Sequence, residues 1–456
     1  MTKTTFPLLL VAAMGCASEV DLPIDPDRGE EAPSDPDPDP DPDPPLPEDE
    51  WSRADLSAQG SVQSVVWTTD GAVVAITPRA GEDNPLSGVG RTLTRYGADA
   101  AVEWVVDASP TDTFVTLAAV DEGGVVAAIR SDVSSPGGLA WYDAHGNETA
   151  SWRPSDDLTG GFLYVITSVQ VLPDGGVFWV GVTVSTGSSR VAGLLDAERQ
   201  LQWVASLPVA PAEYSMTGPG YAALTGEGGF VALARYAPDE DRELDKPRGA
   251  YLVELGPDGD QRWRTDIVGA PYIDGLGATS SGNLVVTGSF SGAMSAGDLV
   301  LESDPYESVH FVAEIDPRGR ARGLHPIELP TAPDGAERDF KLQAMTVMGD
   351  ELVIAGEFFT PNTLHGPDGF RATSHQLDGA LLSERIFAVQ IAEVNGGGTG
   401  PLAIDAAPDG RIAAGGDFGG SVDFGDGVVD GGVDDRGFSL SRPFVTVFES
   451  SDREVD

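Results

Sequence analysis

A motif that occurs seven times constrains the fold of this chain more than any other feature. Each copy has a short polar turn followed by an apolar, β-branched run, as in TTDGAVVAI (68–76) and LPDGGVFWVG (172–181). The residues just before the apolar runs are Gly71, Gly124, Gly176, Gly229, Asn283, Glu351 and Arg411, which gives spacings of 53, 52, 53, 54, 68 and 60. A period of this size indicates one supersecondary unit repeated around a shared core. We interpret the two long intervals as loop insertions in the later copies.

Each copy predicts four β-strands. Asp-Gly and Gly-Gly dipeptides between apolar runs indicate a hairpin that joins the first two strands. A third strand ends near an Asp or a Tyr-Gly pair, as in GLAWYDAHG (138–146), and the fourth strand carries Trp104, Trp152, Trp203 or Trp263 in four of the copies. In the sixth copy GGGTG follows FAVQIAEV (387–394), so no fourth strand is apparent there.

Repeats of four strands predict an all-β protein with a single seven-bladed β-propeller of four-stranded antiparallel blades at residues 50–456. The seventh copy ends at PFVTVFES (443–450) without a fourth strand, whereas EWSRADLS (50–57), with Trp51, precedes the first copy. We therefore predict that residues 50–57 complete the seventh blade and close the ring.

The N-terminus reads MTKTTFPLLLVAAMGC, with Lys3 before a short apolar run and Cys16 as the only cysteine of the chain. The run is too short to span a bilayer but fits a secretory signal. The segment resembles a bacterial lipoprotein signal, in which small residues, here Ala13 and Gly15, precede the lipidated cysteine. The resemblance implies that residues 1–15 are removed and that Cys16 is lipidated; an ordinary signal peptide with another cleavage site is the alternative.

Residues 16–49 predict a tether that follows the lipidated cysteine. Asp and Pro alternate from residue 35 to residue 44, and such a sequence gives a stiff, solvated and disordered spacer because proline blocks regular structure and like charges repel. The residue after Cys16 is Ala17, and resemblance to enterobacterial sorting implies export to the outer membrane. The expected location is thus the cell envelope, at the outer membrane or the cell surface.

The charge of the chain limits its partners. It has 73 acidic and 27 basic residues, for a net charge of −46. Because residues 17–50 carry −13 and Lys3 carries +1, residues 51–456 carry −34. This charge argues against nucleic acid, which needs clustered Lys and Arg, and against direct contact with an anionic bilayer. A membrane would be reached through the lipid anchor only.

Two further resemblances concern the repeats. SGNLVVTGSFSGAMSAGDLVLES (281–303) followed by HFVAEIDPRG (310–319) resembles the SBBP-type β-propeller repeats of myxobacterial secreted and surface lipoproteins. This resemblance implies a fold and a setting, and it implies no chemistry. The Trp-bearing strands resemble the docking motifs of quinoprotein propellers, which implies that these tryptophans pack blade to blade and implies no quinone cofactor.

Signatures of chemistry are few, and we predict no catalytic residue and no cofactor. The histidines at 145, 310, 325, 365 and 375 form no HExxH or HxH pair, so we expect them to be solvated or capping, with His365 and His375 flanking a surface loop. The sequence has no P-loop and no GxSxG elbow. Asp423, Asp426 and Asp430, on the Gly-rich stretch 423–437, are candidate Ca²⁺ ligands. A merely solvated acidic loop is the alternative.

The resulting prediction is a lipid-anchored envelope propeller with a binding, scaffold or structural role. It would present loops at its axial faces to a protein or a glycan. The alternative is a periplasmic or extracellular hydrolase or lyase that uses the central channel, which requires His, Asp, Glu or Arg side chains to converge at the axis. A surface protein without a specific ligand is a third reading, in which the predicted loops at 291–308 and 359–384 would be dispensable.

Overall fold

The structure is a computed structural model that describes residues 51–449 except 56–57, 80–90, 132–135, 155–161, 185–187, 209–213, 227, 239–247, 270–271, 330–338, 360–368, 391–398, 425–427 and 433–439. The chain divides into the units Met1–Pro44 and Pro45–Asp456, and every described residue belongs to the second. The signal segment, Cys16 and the tether therefore lie outside the described residues. Within the described part, no helix has the length and apolar character needed to cross a membrane.

Seven antiparallel blades of four strands each form a β-propeller, which confirms the predicted fold. The first strand of the described residues is β1 (Trp51–Ala54), which belongs to the last blade. Blade 1 comprises β2 (Ser64–Trp67), β3 (Val73–Pro78), β4 (Arg91–Tyr96) and β5 (Val102–Asp107). Blade 2 comprises β6 (Asp112–Ala119), β7 (Val125–Ser131), β8 (Gly138–Tyr142) and β9 (Glu148–Trp152), with a 3₁₀ turn at Asp121–Gly123. Blade 3 comprises β10 (Phe162–Val171), β11 (Val177–Val184), β12 (Ser188–Leu195) and β13 (Leu201–Ser206).

The later blades follow the same order, and two of them contain an added hairpin. Blade 4 comprises β14 (Tyr214–Leu224), β15 (Phe230–Pro238), β16 (Gly249–Leu255) and β17 (Gln261–Val268). Blade 5 comprises β18 (Tyr272–Ala278), β19 (Leu284–Phe290), β22 (Val309–Ile315) and β23 (Ala321–Pro326), with the hairpin β20 (Ala293–Ala296) and β21 (Leu299–Glu302). Blade 6 comprises β24 (Asp339–Met348), β25 (Glu351–Phe359), β26 (Gly369–His375) and β27 (Leu381–Gln390). Blade 7 comprises β28 (Thr399–Ala406), β29 (Arg411–Phe418), β32 (Arg442–Glu449) and β1, with the hairpin β30 (Ser421–Asp423) and β31 (Val428–Asp430).

The core lies between neighbouring blades, and we name each interface by its two blades, as in "seam 1–2". Successive side chains of a strand point to opposite faces, so each inner strand contributes to two seams. In β3, Val74 and Ile76 pack into seam 1–2, whereas Val73 and Ala75 pack into seam 7–1. This explains why the second strand of each repeat is continuously apolar rather than alternating.

The ring is closed by the N-terminal strand, as predicted. β1 pairs with β32 in antiparallel register, from Trp51 opposite Val447 to Ala54 opposite Phe444, and the Ser52 and Thr446 hydroxyls are 2.7 Å apart. Each innermost strand contacts the innermost strand of the next blade, and β28 contacts β2. The first and last parts of the chain are thereby joined in one blade.

The inserted hairpins extend the preceding blades. β20–β21 accounts for the 68-residue interval, which confirms an insertion there, and β20 pairs with β17 of blade 4. In the same way, β30 of blade 7 pairs with β27 of blade 6. Both hairpins therefore bridge a seam. The 60-residue interval would hold its insertion in residues 360–368 or 391–398, which lie outside the described residues.

The sixth copy is complete, although no fourth strand was apparent there from the sequence. Its fourth strand is β27, and FAVQ is the end of that strand. The error arose one strand earlier, because the third strand, β26, reads GFRATSH and is nevertheless buried throughout. Because β26 contains polar residues, the sequence did not indicate a strand there. The predicted loop 359–384 in fact contains β26.

The tryptophans of three fourth strands clasp the next blade, and we call this contact the Trp clasp. The Nε1–H groups of Trp104, Trp203 and Trp263 donate to the carbonyls of Ala144, Pro257 and Pro317, at 2.9, 2.8 and 3.0 Å. Each ring lies on a glycine of positive φ in the turn that it clasps, and these are Gly146, Gly259 and Gly319. A Cβ atom there would lie within 2.9 Å of the ring, so both the turn geometry and the close approach require glycine.

Candidate functional site

The two ends of the propeller differ in their connections. One end carries short turns between the first and second and between the third and fourth strands, for example Thr68–Ala72, where the Thr68 N–H donates to the Ala72 carbonyl at 2.9 Å. The other end carries longer connections, such as 239–248 and 419–441, and also the links between blades. We call these ends the short-turn face and the long-loop face. Long connections are where binding residues usually lie.

Several charged side chains lie on the two inner strands of their blades, close to the strand ends at the long-loop face. Arg235, Glu357 and Asp417 occupy equivalent positions near the ends of β15, β25 and β29. Asp274 lies at a bulge of the innermost strand β18, and Lys341 of β24 lies directly opposite Glu357. These five residues from blades 4 to 7 constitute the axial charge cluster.

Contacts within the cluster link neighbouring blades. Arg235 Nη1 and the Tyr221 hydroxyl both donate to the Ile273 carbonyl, at 3.4 and 3.3 Å. The Arg235 guanidinium also lies 5.9 Å from the centre of the Tyr272 ring, which is 52% exposed. Arg235 and Lys341 both act electrostatically on Asp274. The arrangement therefore offers an exposed aromatic face beside alternating charges.

All three carboxyl groups of the cluster have raised pKa values because of burial. Burial raises the pKa of Asp274 to about 6 against the opposing effect of Arg235 and Lys341. It also raises the pKa of Glu357, although Lys341 and Gln343 lower it, and Asp417 adds to the increase. The pKa of Asp417 is raised by burial even though its carboxylate accepts hydrogen bonds from Ser441, at 2.6 Å, and Ser61. Carboxyl groups with shifted pKa values, at a face that carries long loops, mark a candidate functional site.

The cluster was not predicted from the sequence. A signal was available, because the second strand carries Arg130, Arg235, Glu357 and Asp417 near its end in blades 2, 4, 6 and 7, whereas the equivalent residues of the other blades are Pro78, Val182 and Ser289. Charged residues near the ends of otherwise apolar second strands, repeated in register, lie at one end of the ring. Asp274 gives no such signal because its placement depends on the bulge.

Asp405 is another carboxyl group with a raised pKa, and its role is structural. It lies on β28, and its Oδ2 accepts a hydrogen bond from the Trp67 N–H of β2 at 2.9 Å, across seam 7–1. Burial raises its pKa to about 6 against this hydrogen bond and that from the Ala406 N–H. The carboxylate thus connects the first and last innermost strands.

The histidines match the expectation of solvated or capping side chains only in part. His310 and His375 are buried, whereas His145 is exposed, His325 is half-buried and His365 lies outside the described residues. His310 Nε2 bonds to the Phe340 carbonyl at 2.9 Å, and His375 bonds to Thr373 and Gly379. Burial lowers the pKa of His310, and it lowers that of His375 to about 4. Both side chains are packing elements of seam 5–6.

The predicted calcium ligands do not form a site within the described residues. Asp423 and Asp430 end the two strands of the hairpin β30–β31, and Asp426 lies outside the described residues. Asp430 accepts a hydrogen bond from the Gly432 N–H at 2.9 Å, as in a turn. In the part of the chain that the structure describes, no three His, Cys, Asp or Glu side chains are grouped so as to hold a metal ion.

The chain matches no protein-family model, and a search of curated proteins finds none that is similar. Several solved structures are similar in shape. A streptogramin B lyase is 10% identical, with a TM-score of 0.45 over 87% of this chain and 98% of that chain. The β-propeller domain of the Trilobed protease from Pyrococcus furiosus is 8% identical, with a TM-score of 0.44 over 82% of this chain and 98% of that chain. Similarity at this level assigns no activity to the present chain.

Proposed function

We propose that this protein is a lipid-anchored binding protein of the cell envelope that contacts its ligand at the long-loop face. The observation that carries the proposal is the axial charge cluster, which places charged groups and the exposed Tyr272 ring at that end of the axis. The short-turn face is instead closed by tight, internally hydrogen-bonded turns. Charged and aromatic groups that converge below long connections suit recognition of a polar partner.

The anchor is the part of the proposal that rests on the sequence. Cys16 follows a signal-like apolar run and precedes the Asp/Pro tether. The first described residue, Trp51, pairs with Val447 near the end of β32, so β1 begins beside the short-turn face. The first described strand therefore begins at the face opposite the proposed ligand-binding face.

Metabolic palmitate labelling with membrane fractionation tests the anchor. We expect the wild-type protein to take up label and to sediment with membranes, and Cys16→Ser to lose both properties because the acceptor thiol is absent. Alanine replacement of the neighbouring Ser18 serves as the control and should leave labelling intact. A wild-type protein without label, or a serine variant that remains equally membrane-bound, would contradict the lipoprotein assignment.

The ligand-binding face is tested with a pair of single-charge variants on opposite faces. Lys341→Gln removes an exposed cation of the cluster, and Arg320→Gln removes an exposed cation from a turn of the short-turn face. Purified proteins are immobilised and exposed to a detergent extract of the envelope, and the retained proteins and glycans are identified by mass spectrometry. We expect Lys341→Gln to reduce specific retention several-fold and Arg320→Gln to leave it unchanged. Equal retention by both variants would contradict a binding role for the cluster.

A hydrolase or lyase that works at the same cluster is the second candidate. Asp274 favours it, because a carboxyl group with a pKa of about 6 can exchange protons near neutral pH. Under this alternative, components retained by the wild-type protein would be chemically altered, and Asp274→Asn would retain them intact. Under the binding proposal, the wild-type protein also returns them unaltered.

A further inference from the structure

Seam 7–1 contains a groove that the axial charge cluster does not share. Its volume is about 490 Å³, and it lies between the closing strand β1 and the outer half of blade 1. This volume falls in the range of about 300–1,000 Å³ that is typical of small-molecule sites. The groove is therefore large enough to be considered as a site in its own right.

Three threonines form the floor of this groove. Thr77, Thr92 and Thr94 are each at least 94% buried, and the Thr77 hydroxyl lies 2.7 Å from that of Thr92 and 2.9 Å from that of Thr94. By strand register, the equivalent positions of blade 2 are Ile129, Gly138 and Ala140, and those of blade 5 are Gly288, Phe311 and Ala313. Those blades fill the space with apolar atoms or glycine, whereas blade 1 presents a ladder of hydroxyl groups.

The groove lies where β1 forms the outer wall of seam 7–1. Ala54 and Asp55 line it on the side of blade 7, and Val102 and Val105 of β5 line it on the side of blade 1.

The rim is charged but balanced. Arg79 and Asp107 form a two-point ion pair, with Nε to Oδ1 at 3.0 Å and Nη2 to Oδ2 at 2.7 Å. Arg53 and Asp55 line the opposite side, so the four charges sum to zero. Val102 and Val105, 41% and 55% exposed, supply an apolar wall. An anion gains no net electrostatic attraction from such a rim, and the acidic body of the protein repels it. A cation is repelled by the two guanidinium groups of the rim.

We propose that the seam 7–1 groove binds a neutral, hydroxyl-rich ligand, namely a sugar unit of a glycan. Each hydroxyl of the threonine ladder offers one donor and two acceptor sites, and the Arg79–Asp107 pair adds a planar donor next to a planar acceptor. Adjacent hydroxyls of a sugar ring supply donors and acceptors at matching separation, while its C–H face suits Val102 and Val105. This site is independent of the proposed ligand at the axial charge cluster.

Titration calorimetry of the intact propeller tests the proposal with glucose, galactose, mannose and N-acetylglucosamine, and with glucuronic acid as the anionic comparison. We expect saturable, millimolar binding of at least one neutral sugar and weaker binding of glucuronic acid. The variant Thr77→Val/Thr92→Val/Thr94→Val removes the ladder while keeping its shape, and it should weaken binding by about tenfold or more. Thr287→Val, a buried threonine outside the groove, is the matched control and should bind as the wild type does.

Val105→Arg keeps the test decisive if the triple variant does not fold. This exposed position tolerates a large side chain, and the arginine would cover the groove and abolish sugar binding. Absence of saturable binding by every neutral sugar would overturn the proposal. So would tighter binding of glucuronic acid than of any neutral sugar, or full binding by the Val105→Arg protein.

Discussion

Seams 3–4 and 6–7 hold neighbouring blades together in different ways. Seam 3–4 has the Trp clasp, in which Trp203 donates to the Pro257 carbonyl and lies on Gly259. Seam 6–7 has a cluster of phenylalanines instead, with Phe370 stacked on Phe444 at 4.9 Å and Phe424 at 5.1 Å from Phe444. Phe424 follows β30, so the inserted hairpin delivers it. The other three rings of the cluster, those of Phe370, Phe418 and Phe444, lie on the repeat strands β26, β29 and β32, so seam 6–7 combines repeat residues with one residue from an insertion.

Two further seams extend this comparison. Seam 4–5 has both devices, because Trp263 clasps Gly319 and the hairpin strand β20 buries Met294. Seam 5–6 has neither within the described residues, and it contains the buried His310 and His375 among aliphatic side chains. The seams therefore differ in whether the Trp clasp, an inserted hairpin, both or neither contributes to them.

The largest effect is expected at the phenylalanine cluster. Phe444→Ala empties a buried site in contact with three other rings, and we expect it to lower the free energy of unfolding by about 3–5 kcal/mol. Urea denaturation followed by tryptophan fluorescence measures the loss. Val428→Ala, on the hairpin β30–β31 of the same blade and 56% exposed, should change stability by less than about 0.5 kcal/mol. Similar values for the two variants would show that the phenylalanine cluster does not stabilise seam 6–7.

An intermediate loss of stability is expected at the Trp clasp. Two glycine variants distinguish the cost of the ring contact from the cost of the backbone conformation. Gly319 and Gly349 both have positive φ, at 77° and 63°, but only a Cβ at Gly319 would meet a neighbour, the Trp263 ring at 2.5 Å. Gly349→Ala should cost about 1 kcal/mol for its backbone alone. Gly319→Ala should cost about 1–3 kcal/mol more because it displaces the ring.

Equal losses in these two alanine variants, measured by urea denaturation, would mean that the clasp adds no stability. Introducing Trp263→Phe into each glycine variant sharpens the result. The smaller ring should relieve part of the loss in Gly319→Ala and none of it in Gly349→Ala.

The smallest effect is expected at seam 5–6, and it depends on pH. Burial lowers the pKa of His375 to about 4, below the value of about 6.5 for an unfolded histidine. Below pH 6.5 the unfolded state therefore binds more protons, and stability falls as the pH falls towards the folded pKa. We expect His375 to contribute a loss of about 2 kcal/mol between about pH 6.5 and pH 5.

Denaturation curves of the wild type and of His375→Gln across this range test the contribution of His375. Glutamine keeps a hydrogen-bonding side chain but does not titrate, so the difference in slope isolates the histidine from acid-sensitive carboxylates elsewhere. Parallel slopes would show that His375 is already protonated in the folded protein or is not buried in solution.

Much of the architecture could be predicted from the repeat, because its period and its turn residues depend on local chemistry. The seven blades, the Trp-bearing outer strands and the closure by residues 50–57 all follow from residues close together in sequence. The prediction failed where polar residues are buried. β26 contains the buried residues Arg371 and His375. Arg371 pairs with Glu384 of the neighbouring strand β27, and His375 bonds to Thr373 of β26 itself, so no apolar pattern reveals this strand.

The candidate sites depended on the tertiary structure for the same physical reason. The sequence by itself determined the strand order, the acidic charge of residues 51–456 and the predicted lipidation signal at Cys16, since each rests on composition or short-range spacing. Arg235, Asp274 and Lys341 belong to three different blades. Only closure of the ring brings them close enough for Arg235 and Lys341 to act electrostatically on Asp274. Likewise, only ring closure placed Ala54 and Asp55 beside Thr77 and Thr92 in one groove, because side chains far apart in sequence meet there when the chain packs.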